Sequence, residues 1–428
     1  MTLAPIIIAL LVLAYFGAPL FSLILAVAML GFYYQDINLM VIPIELYRIT
    51  NTPLLLALPL FTFAGYLLSE SNTSHRLVRV SRAILGWFPT ELSVVTVVVC
   101  AFFTAFTGAT GITIIALGAL LYPALTQSGY PKDYSLGLVT TSGSMGLLLP
   151  PSLPLILYVI IVQQMNLGQA ITIEQAFLAG VLPTLLMLVM LFAWGLWVTR
   201  AEPVALVPFN FTELRRALRE AIWEIPLPFF VLGGIYSGIF AVSEAAAVTA
   251  LYVLVVEVFI YKEINLKKLV KVIQDSMTMV GGILLILGVA LALTNYLIDA
   301  EVPINLFEWI KQHIDNKFTF LIVLNLFLLL LGMILDIFSA IVIMVPLVVP
   351  VAMGYGIHPI HLGIIFLANM QLGYLTPPVG MSLFIASYRF GKPITEIYRS
   401  TIPFMLLLLV SVLIITYWPE LSLIFIDH

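Results

Sequence analysis

The chain has 428 residues, of which 62% are hydrophobic and only 9% charged, with a formal net charge of −4 and a mean hydropathy of +1.13. A soluble globular domain carries charge on about a quarter of its residues, so this composition excludes one and defines a polytopic helical membrane protein. Apolar runs of helix-spanning length recur throughout, which excludes a barrel of short alternating strands, and the single cysteine, Cys100, excludes an internal disulfide framework.

The N-terminal segment is apolar from Leu3 onward, without a basic region or a cleavage site, and reads as a first span rather than a removed signal peptide. Leu3 to Tyr34 exceeds one untilted span, and Gly17-Ala18-Pro19 divides it into two short helices. Pro53 to Leu68 is the next span. His75 to Phe88 is basic on one face and apolar on the other with an aromatic end, the composition of an interfacial helix. Val94 to Leu125 forms about two half-spans around the polar, small-residue centre Thr104 to Thr113. Next comes Thr140 to Ser152, which is polar and broken by Gly143, Gly146, Pro150 and Pro151. Proline removes a donor and pushes the residue before it out of the helical region, so the helix must open here, inside the membrane. Open backbone at that depth is tolerated where it faces protein or a water-filled cavity, which makes the break a candidate binding site.

The second half repeats this plan. Pro150 and Pro151 recur as Pro377 and Pro378, an offset of 227 residues that also maps Gly146 to Gly373, Leu148 to Leu375, Pro123 to Pro350 and Ile114 to Ile341. Ile225 to Gly238 and Val242 to Tyr261 match the first helix pair, a span from about Met279 to Asp299 matches Pro53 to Leu68, and Leu306 to Ile314 matches the interfacial helix. Phe320 to Ala352, centred on Gly332 to Ser339, matches the segment before the break. The expected organisation is a first repeat 1–199 (hairpin about 91–127, broken helix about 134–163), a linker 200–220, and a second repeat 221–428 (hairpin about 319–355, broken helix about 361–388).

The segment before each break is either a complete span or a re-entrant hairpin, and basic residues, retained on the cytoplasmic side, decide between the two. With both segments re-entrant, fifteen of the 18 Lys and Arg residues share one side and only Arg48, Lys311 and Lys317 fall on the other. That topology puts both termini outside, leaves the linker cytoplasmic, makes the halves inverted repeats, and brings the hairpin tips to the broken helices near the midplane.

Such tips and breaks gather unpaired carbonyls, helix N-termini and small hydroxyls away from bulk water. Oxygens of this kind coordinate Na⁺, and helix N-termini attract carboxylates. The candidate substrate-binding residues are Thr107, Thr110, Ser142, Ser144, Asn369 and Gln371. The candidate Na⁺ ligands are Gly108, Gly111, Thr113, Gly146, Gly332, Asp336, Ser339, Gly373 and Thr376. Taken singly, small residues in membranes more often serve helix packing; their clustering at two related breaks points to a site. Asp336 is the one carboxylate placed deep in the membrane, where an ionisable group is costly; its structural role would be an N-cap. Enzyme motifs are absent: there is no HExxH, P-loop or dinucleotide turn, and Gly143-Ser144-Met145-Gly146 lacks the spacing of a nucleophile elbow. No stretch suggests nucleic-acid binding or an ATP-hydrolysing domain.

Three motifs in order, Met145 to Ser152, Gly233 to Val248 and Thr376-Pro377-Pro378-Val379-Gly380, resemble the large membrane subunit of tripartite ATP-independent periplasmic (TRAP) transporters, and the likeness runs essentially end to end. The resemblance implies an elevator-type fold of the ion-transporter superfamily and Na⁺-driven import of an organic acid, such as a C4-dicarboxylate or sialic acid, across the bacterial inner membrane. It also implies two partners, a separate small four-helix membrane subunit and a soluble periplasmic substrate-binding protein. Left open are a stand-alone Na⁺- or H⁺-coupled carrier or ion exchanger of the same architecture, a channel, and an intramembrane hydrolase.

Overall fold

The computed structural model describes residues 9–426 except 11, 15, 89, 166, 169 and 202–208. Most of the expected first span, part of the linker and the two extreme termini therefore lie outside the described residues, among which every regular element is helical.

In the first half, Pro19 ends the turn opened by Gly17, at φ +80°, and starts α1 (Leu20–Tyr34). A short α2 (Val41–Ile49) follows, and a 3₁₀ turn begun by Pro53 leads into α3 (Ala57–Glu70). The amphipathic α4 (Thr73–Leu85) then connects to a helical hairpin of α5 (Glu91–Thr107) and α6 (Thr110–Gln127). Its two-residue tip needs Gly108 because φ there is +63°. The broken helix consists of α7 (Lys132–Ser142), a 3₁₀ turn at Met145–Leu147, the Pro150-Pro151 pair, and α8 (Leu153–Gln164), whose N-cap Ser152 accepts from Leu155 N. The long α9 (Ile173–Ala201) closes the half.

The second half runs through α10 (Phe211–Glu220) in the linker, capped by Asn210, then α11 (Pro226–Tyr236) and α12 (Val242–Leu254), which continues as a π-turn to Ile260. The next helix departs from expectation. α13 (Leu266–Asp299) has 34 residues and starts 13 residues before Met279, because the Asn265 side chain caps it at Lys268 N and no breaker intervenes. The basic stretch Lys267 to Lys271 lies in its first two turns. After α14 (Val302–His313) comes the second hairpin, α15 (Lys317–Ile334) and α16 (Ile337–Gly354), with Leu335-Asp336 at the tip. The second broken helix is α17 (Pro359–Gly373), an extended stretch through Pro377-Pro378, and α18 (Met381–Phe390); α19 (Ile394–Tyr417) ends the repeat. Both Pro-Pro bonds are cis.

Packing pairs the halves reciprocally. The outgoing arm of each hairpin lies on the second part of the other half's broken helix, α6 on α18 and α16 on α8. The first part of each broken helix packs on the other half's closing helix, α7 on α19 and α17 on α9. Beside this body, α1 and α3 pack against α13 and α12. Among the described residues, eight helices are long and apolar enough to cross a membrane by length and composition, including hairpin arms α6, α15 and α16. What distinguishes the arms is where their tips go: Gly108 abuts Leu153 at the start of α8, and Gly332 abuts Met370 and Gly373 at the end of α17.

One charged hub joins α4 to the second half. The Arg76 guanidinium bonds Glu224, reaches Glu263 at 2.5 Å and Glu257 at 3.4 Å, and lies 3.9 Å over the Tyr261 ring. Burial opposes the charged form of Glu263, but Arg76 and the Asn72 N–H outweigh it and hold its pKa below the ordinary carboxylate value.

Candidate functional site

The two hairpin tips and the outer helices α3 and α13 border an open-sided cavity of about 540 Å³. Gly108, Ala109, Thr110, Gly111 and Ile112 line it from the first tip, and Asp336, Ile337, Phe338 and Ser339 from the second. Tyr374 and Met381 contribute from the second break, while Tyr66, Thr278, Met279 and Gly282 form the facing wall. Among the described residues, no Lys, Arg or His lines it. The volume falls in the range of small-molecule sites, about 300–1,000 Å³.

Five residues singled out from the sequence meet here: Gly108, Thr110, Gly111, Asp336 and Ser339. Asp336 caps α16, accepting from Phe338 N at 3.0 Å and Ser339 N at 3.1 Å through Oδ1, while Oδ2 takes the Ser339 hydroxyl. The other candidates lie behind the tips. Thr107 is buried, and its hydroxyl oxygen accepts from Ala109 N at 3.4 Å. Ser142, Ser144 and Thr376 donate to carbonyls of their own turns, at Leu138, Thr141 and Leu372. Gly146, Gly332 and Gly373 make close backbone approaches: a Cβ at Gly146 would stand 2.1 Å from the Ala101 oxygen, and one at Gly373 would stand 2.6 Å from the Gly332 carbonyl carbon.

Two uncharged oxygen clusters lie away from the cavity, one in each half. At the first break, Thr104 Oγ1 lies 2.7 Å from Thr113 Oγ1 and donates to the Gly143 carbonyl at 2.7 Å. At the second, Asn369 Nδ2 donates to Asn325 Oδ1 at 2.6 Å, and Thr416 Oγ1 donates to the same oxygen at 3.1 Å. Gln371 sits between the body's two halves, its amide nitrogen 3.3 Å from Met145 Sδ and its oxygen unpaired.

Thr104, Asn325, Tyr374 and the facing wall escaped the sequence reading. Thr104 stood in the polar centre of the first hairpin segment without being singled out, and Asn325 sits inside a hairpin arm, where nothing local marks it. The wall did leave one trace, the Gly281-Gly282 pair in mid-helix, where glycine is unfavourable unless space is needed.

Reciprocal hairpins and broken helices around a shared cavity define a polytopic helical membrane transporter. The same fold occurs in the crystal structure of the Alcanivorax borkumensis YdaH transporter, described as having an unusual topology, with a TM-score of 0.62, 14% identity, and 86% of this chain and 85% of that one covered. The chain belongs to the family described as tripartite ATP-independent periplasmic transporter, DctM component, which it matches over residues 7–421. It is 34% identical to the C4-dicarboxylate TRAP transporter large permease protein DctM of Rhodobacter capsulatus, over 86% of each chain. To the protein of that name from Pseudomonas aeruginosa it is 32% identical, over 89% of this chain and 88% of that one. These relatives are named as permease subunits, and this chain too is a transporter subunit, not an enzyme.

Proposed function

We propose that this chain is the substrate-translocating subunit of a Na⁺-coupled importer of an organic acid in the bacterial inner membrane. In this reading it works with a small membrane subunit and is fed by a periplasmic binding protein. The observation that carries the reading is the cavity shared by both hairpin tips and faced by α3 and α13. The buried oxygen clusters at Thr104, Thr113 and Gly143, and at Asn325, Asn369 and Thr416, have the donor chemistry Na⁺ takes: neutral hydroxyl, amide and carbonyl oxygens. The range of acids named for relatives, C4-dicarboxylates, isethionate, ectoine and sialic acid, supports the substrate class without selecting a member. The isethionate relative bears the fused name DctMQ, so the small subunit is sometimes part of the same polypeptide.

Alternating access by an elevator motion of the hairpin body along α3 and α13 fits the same layout. The cavity wall on α13 is Thr278 to Ile286, and on α3 it is Tyr66, near the helix end at Glu70. Tyr66 lies toward the end of α3 that the distribution of basic residues assigns to the cytoplasm, while Thr278 to Ile286 occupy the middle of α13.

The test is uptake into proteoliposomes holding this chain and its small partner, with and without an inward Na⁺ gradient and the binding protein. Uptake that requires both is expected. Uptake indifferent to both would replace this reading with a stand-alone carrier or a channel.

A further inference from the structure

The two hairpins differ in how their arms meet. Those of the first, α5 and α6, pack against each other, whereas those of the second, α15 and α16, scarcely touch, because other partners draw them apart: α15 lies on α17, and α16 lies on α8 and α14. α14 itself packs on α16 and hardly on α15, so a second cavity, of about 520 Å³, stands between the three helices. Its lining is aliphatic, Met or Phe throughout except for Trp309 and His313. Val323 and Phe327 are exposed at its mouth, while Leu324 and Val351, at 5% and 2% exposure, form its inner wall. An apolar cavity of about 150 Å³ already stays dry and takes up benzene, and this one is far larger. One end is polar. Lys317 stands a turn outward of Phe320 on α15 and gives one N–H to the Gly356 carbonyl at 3.1 Å, which leaves two of its three protons to offer.

We propose that this cavity is a phospholipid site, in which one acyl chain lies between α14, α15 and α16 and the phosphate of the same lipid meets Lys317, with His313 and the indole N–H of Trp309 beside it. The dimensions and the chemistry match along the whole ligand. From Lys317 to Phe327 is ten residues of helix, about 15 Å, half of a hydrocarbon core of about 30 Å and therefore the depth of one leaflet. α14 carries the aromatic and basic residues of an interfacial helix, which sets the Trp309 and His313 end at headgroup depth. Glu308 falls on the opposite face of α14, and Asp315 sits near Tyr355 and outside the lining, so neither carboxylate opposes a phosphate there. The bound chain holds apart the two arms whose tip presents Asp336 to the other cavity. The site requires only that the chain spans a membrane, so it does not depend on the transport reading above.

The experiment places the complex of this chain with its small membrane partner in nanodiscs containing a phosphatidylethanolamine with a photoreactive diazirine midway along one acyl chain, and maps the adducts by peptide mass spectrometry after irradiation. Adducts are expected on Leu324 or Val351, inside the cavity, as well as on Leu326, which faces outward at 58% exposure and reports contact with bulk lipid. Val348→Trp, which fills the cavity, should abolish the inner adducts and keep the one at Leu326. Lys317→Gln should lower the inner adducts about tenfold, the scale of one charge-assisted hydrogen bond, while Lys317→Arg keeps them. A diacylglycerol with the same diazirine, which lacks the phosphate, should label the inner residues as weakly as Lys317→Gln does. Adducts at Leu326 alone, inner residues crosslinked to the small partner in place of lipid, or inner adducts unchanged by loss of the phosphate or of Lys317 would each overturn the inference. If Val348→Trp fails to fold, the Lys317 variants and the diacylglycerol decide the matter without it.

Discussion

Arg76 is the single cation among three carboxylates, with Glu257 fully buried and Glu224 nearly so. Two carboxyl groups out of water are held there by one guanidinium, the Thr73 hydroxyl, 3.0 Å from Glu257 Oε1, and the face of Tyr261. Removing one partner of such a group leaves the others unpaired, which costs far more than the pair contributes. Arg76→Met is therefore expected to destabilise the chain by about 3–5 kcal/mol, read by thermal unfolding in detergent. Adding Glu257→Gln should recover part of that loss, and no recovery would mean that the hub acts by packing alone. None of this was legible in the sequence. Arg76 stood in a basic helix face that is ordinarily solvated, and its partners lie 148, 181 and 187 residues away.

At the level of elements, two kinds of glycine separate. Gly146 and Gly373 let broken helices touch hairpin arms through backbone atoms that cannot move aside. Gly282 faces open space in the cavity wall. Gly146→Ala and Gly373→Ala are each expected to lower stability by about 1–3 kcal/mol through overpacking. Gly282→Ala should leave stability unchanged or raise it by up to about 1 kcal/mol, through better helix propensity, while altering substrate affinity. A melting series paired with uptake checks all three; equal destabilisation at the three sites would erase the distinction. The proline and glycine breaks were readable because the offset of 227 residues repeats them and proline cannot continue a helix. The ends of α13 were not, since an N-cap by Asn265 looks in sequence like any loop asparagine.

For the whole molecule, the reciprocal packing of α6 on α18 and α16 on α8 is what two related halves produce when each supplies the surface the other lacks. Inverted halves in a membrane make a sharp prediction about sides. Cys100 is the sole cysteine, so a Cys100→Ser background allows single labels at Lys268 and Lys311. A membrane-impermeant maleimide should reach Lys268→Cys only from the cytoplasm and Lys311→Cys only from the periplasm. Labelling of both from one side would exclude two inverted halves with re-entrant hairpins.

The sequence by itself determined the solvent, the helical class, the duplication and the places where helices must open, because hydropathy, proline chemistry and repetition are written locally or at one constant offset. Only the tertiary structure decided which residues share the cavity. Thr110 and Asp336 reach it from different halves, whereas Ser142, Ser144 and Thr376, equally polar and equally close to a break, turn back on their own carbonyls. Where a hydroxyl points depends on helix phase and on what packs behind it, and a shift of one residue carries it about 100° around the helix axis. The closed helix end at Asp336 likewise depends on Tyr374, which comes back from the second break to accept from Ile337 N.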